Sequence, residues 1–239
     1  MDTVKIDSRG TRLIAHRGLS GLETENTLCA FVAAGNRACY YGIETDVRTT
    51  KDGKYVVSHD DSLLRVFGCD RKISELTFEE VRSVRKTKDG EREESVAVPT
   101  LKEYFDVCNR YGKVSVTELK IEFTDEQLKE IVALAEESGQ EENVVYISFL
   151  IGNLIRLRRL FPSARLQLLT GEINDQVLKD CVGYRLGVDV CYPALDGETV
   201  GKLKSNGIGI NCWTVDDPSD AERLIGLGVD YITTDVLEG

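Results

Sequence analysis

Two acidic residues, Glu44 and Asp46, lie two positions apart within an apolar run of the sequence. If this run is a β-strand, both carboxylates point to the same face. Carboxylates held this close repel each other unless a cation lies between them, and Mg²⁺ and Ca²⁺ both prefer oxygen ligands of this kind. The spacing is equally compatible with one divalent metal site and with an exposed pair of acids on an edge strand.

Glu118 and Lys120 repeat this spacing in a later apolar run. A third carboxylate beside the first pair would complete a metal site. Lys120, on the same strand face, would then place a positive charge where a phosphoryl oxygen needs one. The alternative is a buried ion pair between the two side chains that braces the fold.

The chain contains only two histidines, His16 and His59, and each ends a predicted strand. A single histidine in such a place is commonly structural, but two near acidic pairs favour a role in acid–base chemistry. Phosphodiester cleavage needs one group that accepts a proton and one that donates a proton, and histidine does both near neutral pH. Arg17 is suited to a bidentate contact with phosphate, and Gly18 would let the backbone approach a ligand closely.

The single tryptophan, Trp213, lies at the end of another predicted strand. It is a candidate for the wall of a substrate pocket. The alternative is that it is a large core residue, because tryptophan is highly buried on average.

Short apolar runs alternate with amphipathic stretches along the chain, which is typical of βα units and a parallel sheet. Eight such strands in 239 residues predict a single (β/α)8 TIM barrel domain over 1–239. An open doubly wound sheet is the alternative. The predicted strands are 12–16, 42–47, 114–119, 144–148, 165–169, 187–191, 208–214 and 231–234, with a short extra strand at 55–59.

Several helix starts are marked by capping residues. Thr100 and Thr124 begin capping-box patterns, and Asp217 precedes a proline at the first helical position. A further helix is predicted at 26–36, with Leu28, Phe31 and Val32 on its buried face. These signals separate the strands by helices, as the barrel requires.

Residues 60–98 exceed what one βα repeat needs and form a predicted insertion after the second strand. The insertion contains a predicted helix at 78–86 and a charged stretch at 86–94. It directly follows His59, so one hypothesis is a cap over the substrate at the barrel mouth. The alternative, favoured for the charged stretch, is a solvated excursion.

The net charge of -11 argues against nucleic acid as a partner and against docking on anionic lipid, because both need a basic surface. The sequence has no apolar run long enough to span a membrane and no apolar leader segment at its start. Seven cysteines without a C-x-x-C pair indicate buried free thiols in a reducing compartment. The expected location is therefore cytoplasmic.

The order of these motifs over nearly the whole chain resembles the glycerophosphodiester phosphodiesterases. In that family a His-Arg-Gly motif is followed by Glu-Asn-Thr, Glu-x-Asp, Val-x-x-His-Asp, Ile-Pro-Thr-Leu and Glu-Leu-Lys. The matching segments here are 16–18, 25–27, 44–46, 56–60, 98–101 and 118–120, with later landmarks at 148–149, 213–215 and 228–235. One departure is Thr24, where the family usually has proline.

The resemblance implies a barrel with an insertion after its second strand. It also implies that Glu44, Asp46 and Glu118 bind one divalent cation, Mg²⁺ or Ca²⁺, and that His16 and His59 are the acid–base pair. The expected reaction is hydrolysis of a small glycerophosphodiester to an alcohol and sn-glycerol 3-phosphate. We expect attack by the glycerol 2-hydroxyl, with direct attack by water as the alternative.

Two other functions are compatible with this pattern. A lysophospholipase D or phospholipase C would act on lipid, but the polar insertion does not provide the apolar mouth that such a substrate needs. A non-catalytic binder on the same barrel should have lost a metal ligand or a histidine, and this chain retains all of them.

Overall fold

A computed structural model describes residues 2–88 and 91–239 of the chain. Eight parallel strands, β1–β8, pair in sequence order, and β8 pairs with β1 to close the sheet. The predicted (β/α)8 barrel is confirmed, and the open sheet is excluded. The strands are β1 Arg12–Ala15, β2 Tyr40–Thr49, β3 Val114–Leu119, β4 Val144–Ser148, β5 Arg165–Thr170, β6 Gly187–Cys191, β7 Ile210–Trp213 and β8 Tyr231–Thr234.

Helices connect these strands and surround the barrel. Thr100 and Thr124 form the predicted capping boxes, and Asp217 caps its helix in front of Pro218. The helices are α1 Leu28–Gly35, α2 Leu64–Phe67, α3 Phe78–Ser83, α4 Leu101–Tyr111, α5 Asp125–Glu137, α6 Ile151–Leu160, α7 Asp175–Tyr184, α8 Gly197–Ser205 and α9 Pro218–Leu227.

The buried face of α1 differs from the prediction. Leu28 is exposed and Val32 is only half-buried, whereas Ala30, Phe31 and Ala34 are buried. The ring of Phe31 packs edge-on against Tyr104 of α4, with 5.1 Å between ring centroids. The helix starts two residues later than predicted because Thr27 is its cap.

Side chains alternate between the two faces of each strand, so the apolar residues of the strands form one region outside the barrel and one inside it. Ile43 and Val47 of β2 pack outward against the helices, whereas Val116 and Ile147 fill the barrel interior. Glu44 and Asp46, which alternate with the outward residues of β2, therefore point into the barrel.

The insertion after β2 has a small apolar cluster of its own, which includes Phe67, Ile73, Val81 and Val98. The short extra strand predicted before the insertion is present as Tyr55–Val57 and pairs antiparallel with β2. The prediction of a helix to residue 86 is wrong, since α3 ends at Ser83 and Arg85–Lys88 pairs antiparallel with Glu91–Ala97. Residues 89 and 90 of the predicted charged stretch lie outside the described residues.

The seven cysteines are all free thiols, as predicted. The prediction that the cysteines are buried holds for Cys108, Cys181 and Cys212, but Cys29 is exposed near the start of α1. Within residues 2–88 and 91–239, no helix combines the length and the apolar character that crossing a membrane requires.

Candidate active site

Three carboxylates meet at the carboxyl ends of β2 and β3. Asp46 of β2 pairs directly with Glu118 of β3, and Glu44 lies two residues before Asp46 on the same face of β2. One oxygen from each of these three side chains lies within 4.8 Å of the other two, and all three residues are buried. The alternative of an exposed acidic pair on an edge strand is therefore wrong.

The electrostatics of this cluster favour a cation. Burial, together with the neighbouring Asp46 and Glu118, raises the pKa of Glu44 well above its usual range. Burial and the charge on Asp46 raise the pKa of Glu118 to about 7. The buried Oδ1 of Asp46 has no hydrogen-bond partner in the described part of the chain. A hard divalent cation such as Mg²⁺ or Ca²⁺ fits this set of oxygen donors.

Lys120 lies against the same cluster. Its Nζ is 3.0 Å from Glu118 Oε1 and 3.5 Å from Asp46 Oδ1. The ion pair that the sequence offered as an alternative is thus present, and Lys120 also lines the cavity above the carboxylates. Burial raises the pKa of Asp46, but Lys120 and Arg17 outweigh this effect, so the pKa is lowered.

Both histidines line this cavity, and a carboxylate orients each of them. His16 Nδ1 is 2.7 Å from Asp235 Oδ1, which also accepts a hydrogen bond from Ser20 Oγ. His59 Nδ1 is 2.8 Å from Asp60 Oδ1. A carboxylate at Nδ1 favours the proton on that nitrogen and leaves Nε2 to exchange protons. Burial lowers the pKa of His59 below its usual 6.5.

Arg17 is held in the cavity with a left-handed backbone, at a φ of 55°. Its backbone N–H donates to Glu44 Oε2 at 2.9 Å, and its Nη1 donates to Glu25 Oε1 at 3.0 Å. Gly18 follows with a φ of 79°, and a Cβ there would lie 2.6 Å from the backbone of Ala30 in α1. This glycine is thus needed for packing against α1, and its predicted role in the approach of the backbone to a ligand stays a prediction.

The opposite wall of the cavity is apolar. Trp213 contacts Phe149 edge-on, with 5.8 Å between ring centroids, and Ile147 and Leu169 lie beside them. The cleft has about 460 Å³ of empty space, open solvent included. Trp213 therefore lines the pocket, and the interpretation of it as only a core residue is wrong.

Residues 16–238 match the glycerophosphoryl diester phosphodiesterase family. The chain belongs to this family. The resemblance stated from the sequence and the predicted enzyme class are confirmed, and the interpretation of the barrel as a non-catalytic binder is not supported.

Relatives of similar length support this assignment. A glycerophosphodiester phosphodiesterase from Caldanaerobacter subterraneus is 32% identical over 94% of both chains. The crystal structure of a glycerophosphodiester phosphodiesterase from Thermotoga maritima is 32% identical, with a TM-score of 0.73 over 94% of both chains. A phosphodiesterase from Oleispira antarctica, solved with its product sn-glycerol-3-phosphate, is 25% identical with a TM-score of 0.82, over 97% of this chain and 95% of that one.

Several residues that support this phosphodiesterase site were not selected from the sequence. The buried Asn26 donates from Nδ2 to Asp46 Oδ2 at 2.8 Å and accepts from Thr45 Oγ1 at 2.8 Å, which fixes the Asp46 carboxylate. Asp60 and Asp235 orient the histidines. Each had a signal in the family motifs, because Asn26 lies in Glu-Asn-Thr, Asp60 follows His59 directly, and Asp235 follows the last strand.

Arg65 of the insertion connects the two sides of the phosphodiesterase site. Its guanidinium binds both oxygens of Glu25, at 2.7 and 2.8 Å, and its Nε donates to Asp60 Oδ2 at 2.6 Å. Glu25 in turn holds Arg17, and Asp60 holds His59. Burial raises the pKa of Glu25, but the two arginines outweigh this and lower it. The insertion thus supports both a phosphate-binding candidate and an acid–base candidate.

Replacing Arg65 by methionine should lower kcat roughly ten- to a hundredfold with a smaller change in KM, because small displacements of catalytic groups have effects of this size. The matched control is Arg71→Met in the same insertion, where the nearest carboxylate, on Glu80, is 4.0 Å away. Steady-state kinetics and thermal melts of both variants test this expectation. Equal kinetics for the two variants would show that the Arg65 contacts do not position the site.

Proposed function

We propose that this protein hydrolyses small glycerophosphodiesters to an alcohol and sn-glycerol 3-phosphate, with one divalent cation, Mg²⁺ or Ca²⁺, bound by Glu44, Asp46 and Glu118. The observation that carries the proposal is the buried carboxylate cluster in one cavity with two histidines, each oriented by a carboxylate. The product found in the Oleispira antarctica relative supports the same substrate class.

The cationic side chains of the cavity are suited to the phosphate. Arg17 and Lys120 both line it, and both lie within 4 Å of Asp46, at 3.6 and 3.5 Å respectively. In our proposal they bind phosphoryl oxygens and stabilise the negative charge that builds on them in the transition state. The bound cation would act as a Lewis acid and lower the pKa of a hydroxyl group next to phosphorus.

The two histidines exchange protons with the substrate. In the first step the glycerol 2-hydroxyl attacks phosphorus and the bond to the alcohol breaks. One histidine accepts the hydroxyl proton through Nε2, and the other donates a proton to the leaving alcohol. In the second step water attacks the resulting cyclic phosphate, the bond to the 2-oxygen breaks, and the histidines exchange roles.

The experiment that tests the proposed function is release of glycerol 3-phosphate from glycerophosphocholine and glycerophosphoethanolamine after chelation and return of Mg²⁺ or Ca²⁺. We expect no release without a cation and restored release with one of the two. Full activity after exhaustive chelation would contradict the role of the carboxylate cluster.

Loss of the 2-hydroxyl should slow the reaction far more than it weakens binding. The vicinal hydroxyl is already held next to phosphorus, so its attack avoids the entropic cost of fixing a separate water. A 2-deoxy or 2-O-methyl glycerophosphodiester should therefore compete for the site but turn over at least roughly a hundredfold more slowly. Glycerol 1,2-cyclic phosphate should itself be hydrolysed. If the 2-deoxy analogue is cleaved at nearly the parent rate, direct attack by water is the better mechanism.

One feature of the rim bears on the lipid alternative. Phe149 is 49% exposed and Leu150 is 36% exposed next to the cavity. Two adjacent exposed residues do not form the large apolar patch that an acyl chain requires. The small size of this exposed apolar area and the net charge of -11 both favour small substrates. A large preference for lysophosphatidylcholine over glycerophosphocholine would instead support a lysophospholipase D.

A further inference from the structure

Lys120 lies one residue beyond the end of β3, in the connection to α5, and its side chain lines the cavity. Its ammonium group is a compact charge on a flexible four-carbon stem. The place of that charge therefore depends on where the backbone holds the stem. The side chains that fix the backbone here come from β4 and α6, and they are not among the residues that line the cavity.

Asn153 of α6 holds the segment after Lys120 at two backbone positions. Its Oδ1 accepts a hydrogen bond from the Phe123 N–H at 3.0 Å, and its Nδ2 donates to the Ile121 carbonyl at 2.8 Å. The residue is 0% exposed. One buried amide thus satisfies both a donor and an acceptor of the connection between β3 and α5.

Two neighbours of Asn153 hold the same segment. Ser148, the last residue of β4, donates from Oγ to the carbonyl of Leu119 at 2.8 Å, and its hydroxyl lies 3.4 Å from Asn153 Nδ2. Arg156 of α6 donates from Nη1 to the carbonyl of Phe123 at 2.8 Å. The backbone is therefore held both before and after the lysine.

The presence of an asparagine at position 153 is explained by these contacts and not by α6 itself. Asn153 shares the buried face of α6 with Leu154 and Leu157, where an apolar side chain would gain more from burial. Asparagine is also a poorer helix former than leucine. A buried amide is costly unless its polar atoms are paired, and here they pair with the connection that carries Lys120.

We propose that Asn153 and Ser148 are positioning residues, which act through the backbone of residues 119–123 to hold the Lys120 ammonium group against the phosphoryl oxygens. This inference rests on the proposed function, in which Lys120 stabilises the negative charge of the transition state. A displacement of about 1 Å in a catalytic group costs on the order of a hundredfold in rate. The effect of the two residues on the rate should therefore depend on the presence of Lys120.

A double-mutant cycle with Lys120→Met tests this dependence. Asn153→Leu should lower kcat/KM for release of glycerol 3-phosphate from glycerophosphocholine by roughly ten- to a hundredfold. In the Lys120→Met background the same substitution should lower kcat/KM by less than about twofold, because the group that Asn153 positions is gone. A residue with only a structural role would lower the measured rate by the same factor in both backgrounds.

Cation affinity provides a second readout. Glu118 lies within β3 and is paired with β2 on one side and β4 on the other. Asn153→Leu should therefore leave the calorimetric Kd for Mg²⁺ or Ca²⁺ within about twofold of the wild-type value, since the two sites do not share a partner. A loss of cation affinity that matches the loss of kcat/KM would place the effect at the carboxylate cluster and overturn the positioning of Lys120.

Ser148→Ala carries the same cycle if Asn153→Leu does not fold, because it removes one hydroxyl and keeps the amide. Its smaller loss of kcat/KM should also disappear in the Lys120→Met background. Ser115→Ala is the matched control, since it removes another fully buried hydroxyl from β3, near the opposite end of the strand, where it hydrogen-bonds with the Gln140 amide at 2.8 Å. It should lower the Tm and leave kcat/KM unchanged in both backgrounds.

The outcomes separate this inference from the proposed function. An equal loss of kcat/KM in both backgrounds overturns the positioning role alone, as does a normal kcat/KM in each of the two variants that folds. Unchanged activity of Lys120→Met also overturns it, while release of glycerol 3-phosphate by the wild type still supports the proposed function. No release by the wild-type enzyme with either cation overturns the proposed function, and the positioning role with it.

Discussion

Glu44→Gln should remove nearly all activity and at the same time stabilise the metal-free protein. Glu44 is buried beside Asp46 and Glu118, so in the absence of a cation its charge is both desolvated and repelled. Glutamine has nearly the same shape and no charge, and it relieves this repulsion. The substitution also removes the negative charge from one of the three proposed ligands of the cation. The loss of activity should exceed the roughly 10–100-fold that follows removal of a hydrogen-bond partner of a metal ligand.

Thermal melts with and without cation separate these two effects. The chelated variant should melt higher than the chelated wild type, by roughly 2–4 °C for each kcal/mol gained. Added Mg²⁺ or Ca²⁺ should raise the Tm of the wild type far more than that of the variant. Glu198→Gln, which removes an exposed carboxylate on α8, should behave as the wild type. A variant that keeps full activity after chelation and dialysis would place the metal site elsewhere.

The same cluster makes cation binding dependent on pH. The pKa of Glu118 is raised from 4.5 to about 7 in the metal-free fold. Its contribution to metal-free stability is therefore fully present below pH 4.5 and is lost as the pH rises towards 7. A protonated carboxyl does not bind a cation, so affinity should rise over this interval with release of protons. Calorimetric titration in buffers of different ionisation enthalpy measures both quantities.

His16→Ala and His59→Ala should each stay folded and lose kcat by roughly 10²–10⁴-fold, the usual contribution of a general acid or base. Both side chains are only partly buried, at 17% and 33% exposure, so their loss leaves no large core cavity. Circular dichroism and thermal melts check the fold, and steady-state kinetics measure the loss. Near-normal kcat in either variant would exclude that histidine from the mechanism.

A change of leaving group distinguishes the two histidines. An aryl alcohol such as p-nitrophenol leaves as its anion and needs little protonation. The variant that lacks the general acid of the first step should therefore recover much of its rate of p-nitrophenol release, which reports the first step alone, on a p-nitrophenyl glycerophosphodiester. The variant that lacks the general base should remain impaired on it. Equal impairment of both variants on both substrates would contradict the assignment of one histidine as general acid and the other as general base.

The parts of the fold that depend on local sequence could be predicted. The eight strands follow from short apolar runs, and the helix starts follow from capping residues such as Thr100 and Thr124. The metal-ligand candidates could also be selected, because alternation on one strand places Glu44 and Asp46 on the same face. The prediction of a helix to residue 86 failed, since the antiparallel pairing of Arg85–Lys88 with Glu91–Ala97 depends on the partner strand and not on the periodicity of the segment itself.

The contacts that complete the site could not be predicted, because they join residues far apart in the chain. Arg65 and Glu25 are 40 residues apart, and His16 and Asp235 are 219 apart. No local spacing indicates such partners before the barrel is closed. Gly18 illustrates the same limit, because its close approach to Ala30 joins two segments of the chain and has no signal in the local sequence.

The contact between His16 and Asp235 also has a consequence for the order of events during synthesis. β1, which His16 directly follows, is made before the other barrel strands, and Asp235 follows β8, the strand that closes the barrel against β1. A chain still on the ribosome thus holds all three carboxylates of the buried cluster and His59 long before His16 has its orienting partner. The phosphodiesterase should therefore gain activity abruptly, when the final strand docks, so that partly made chains do not consume substrate.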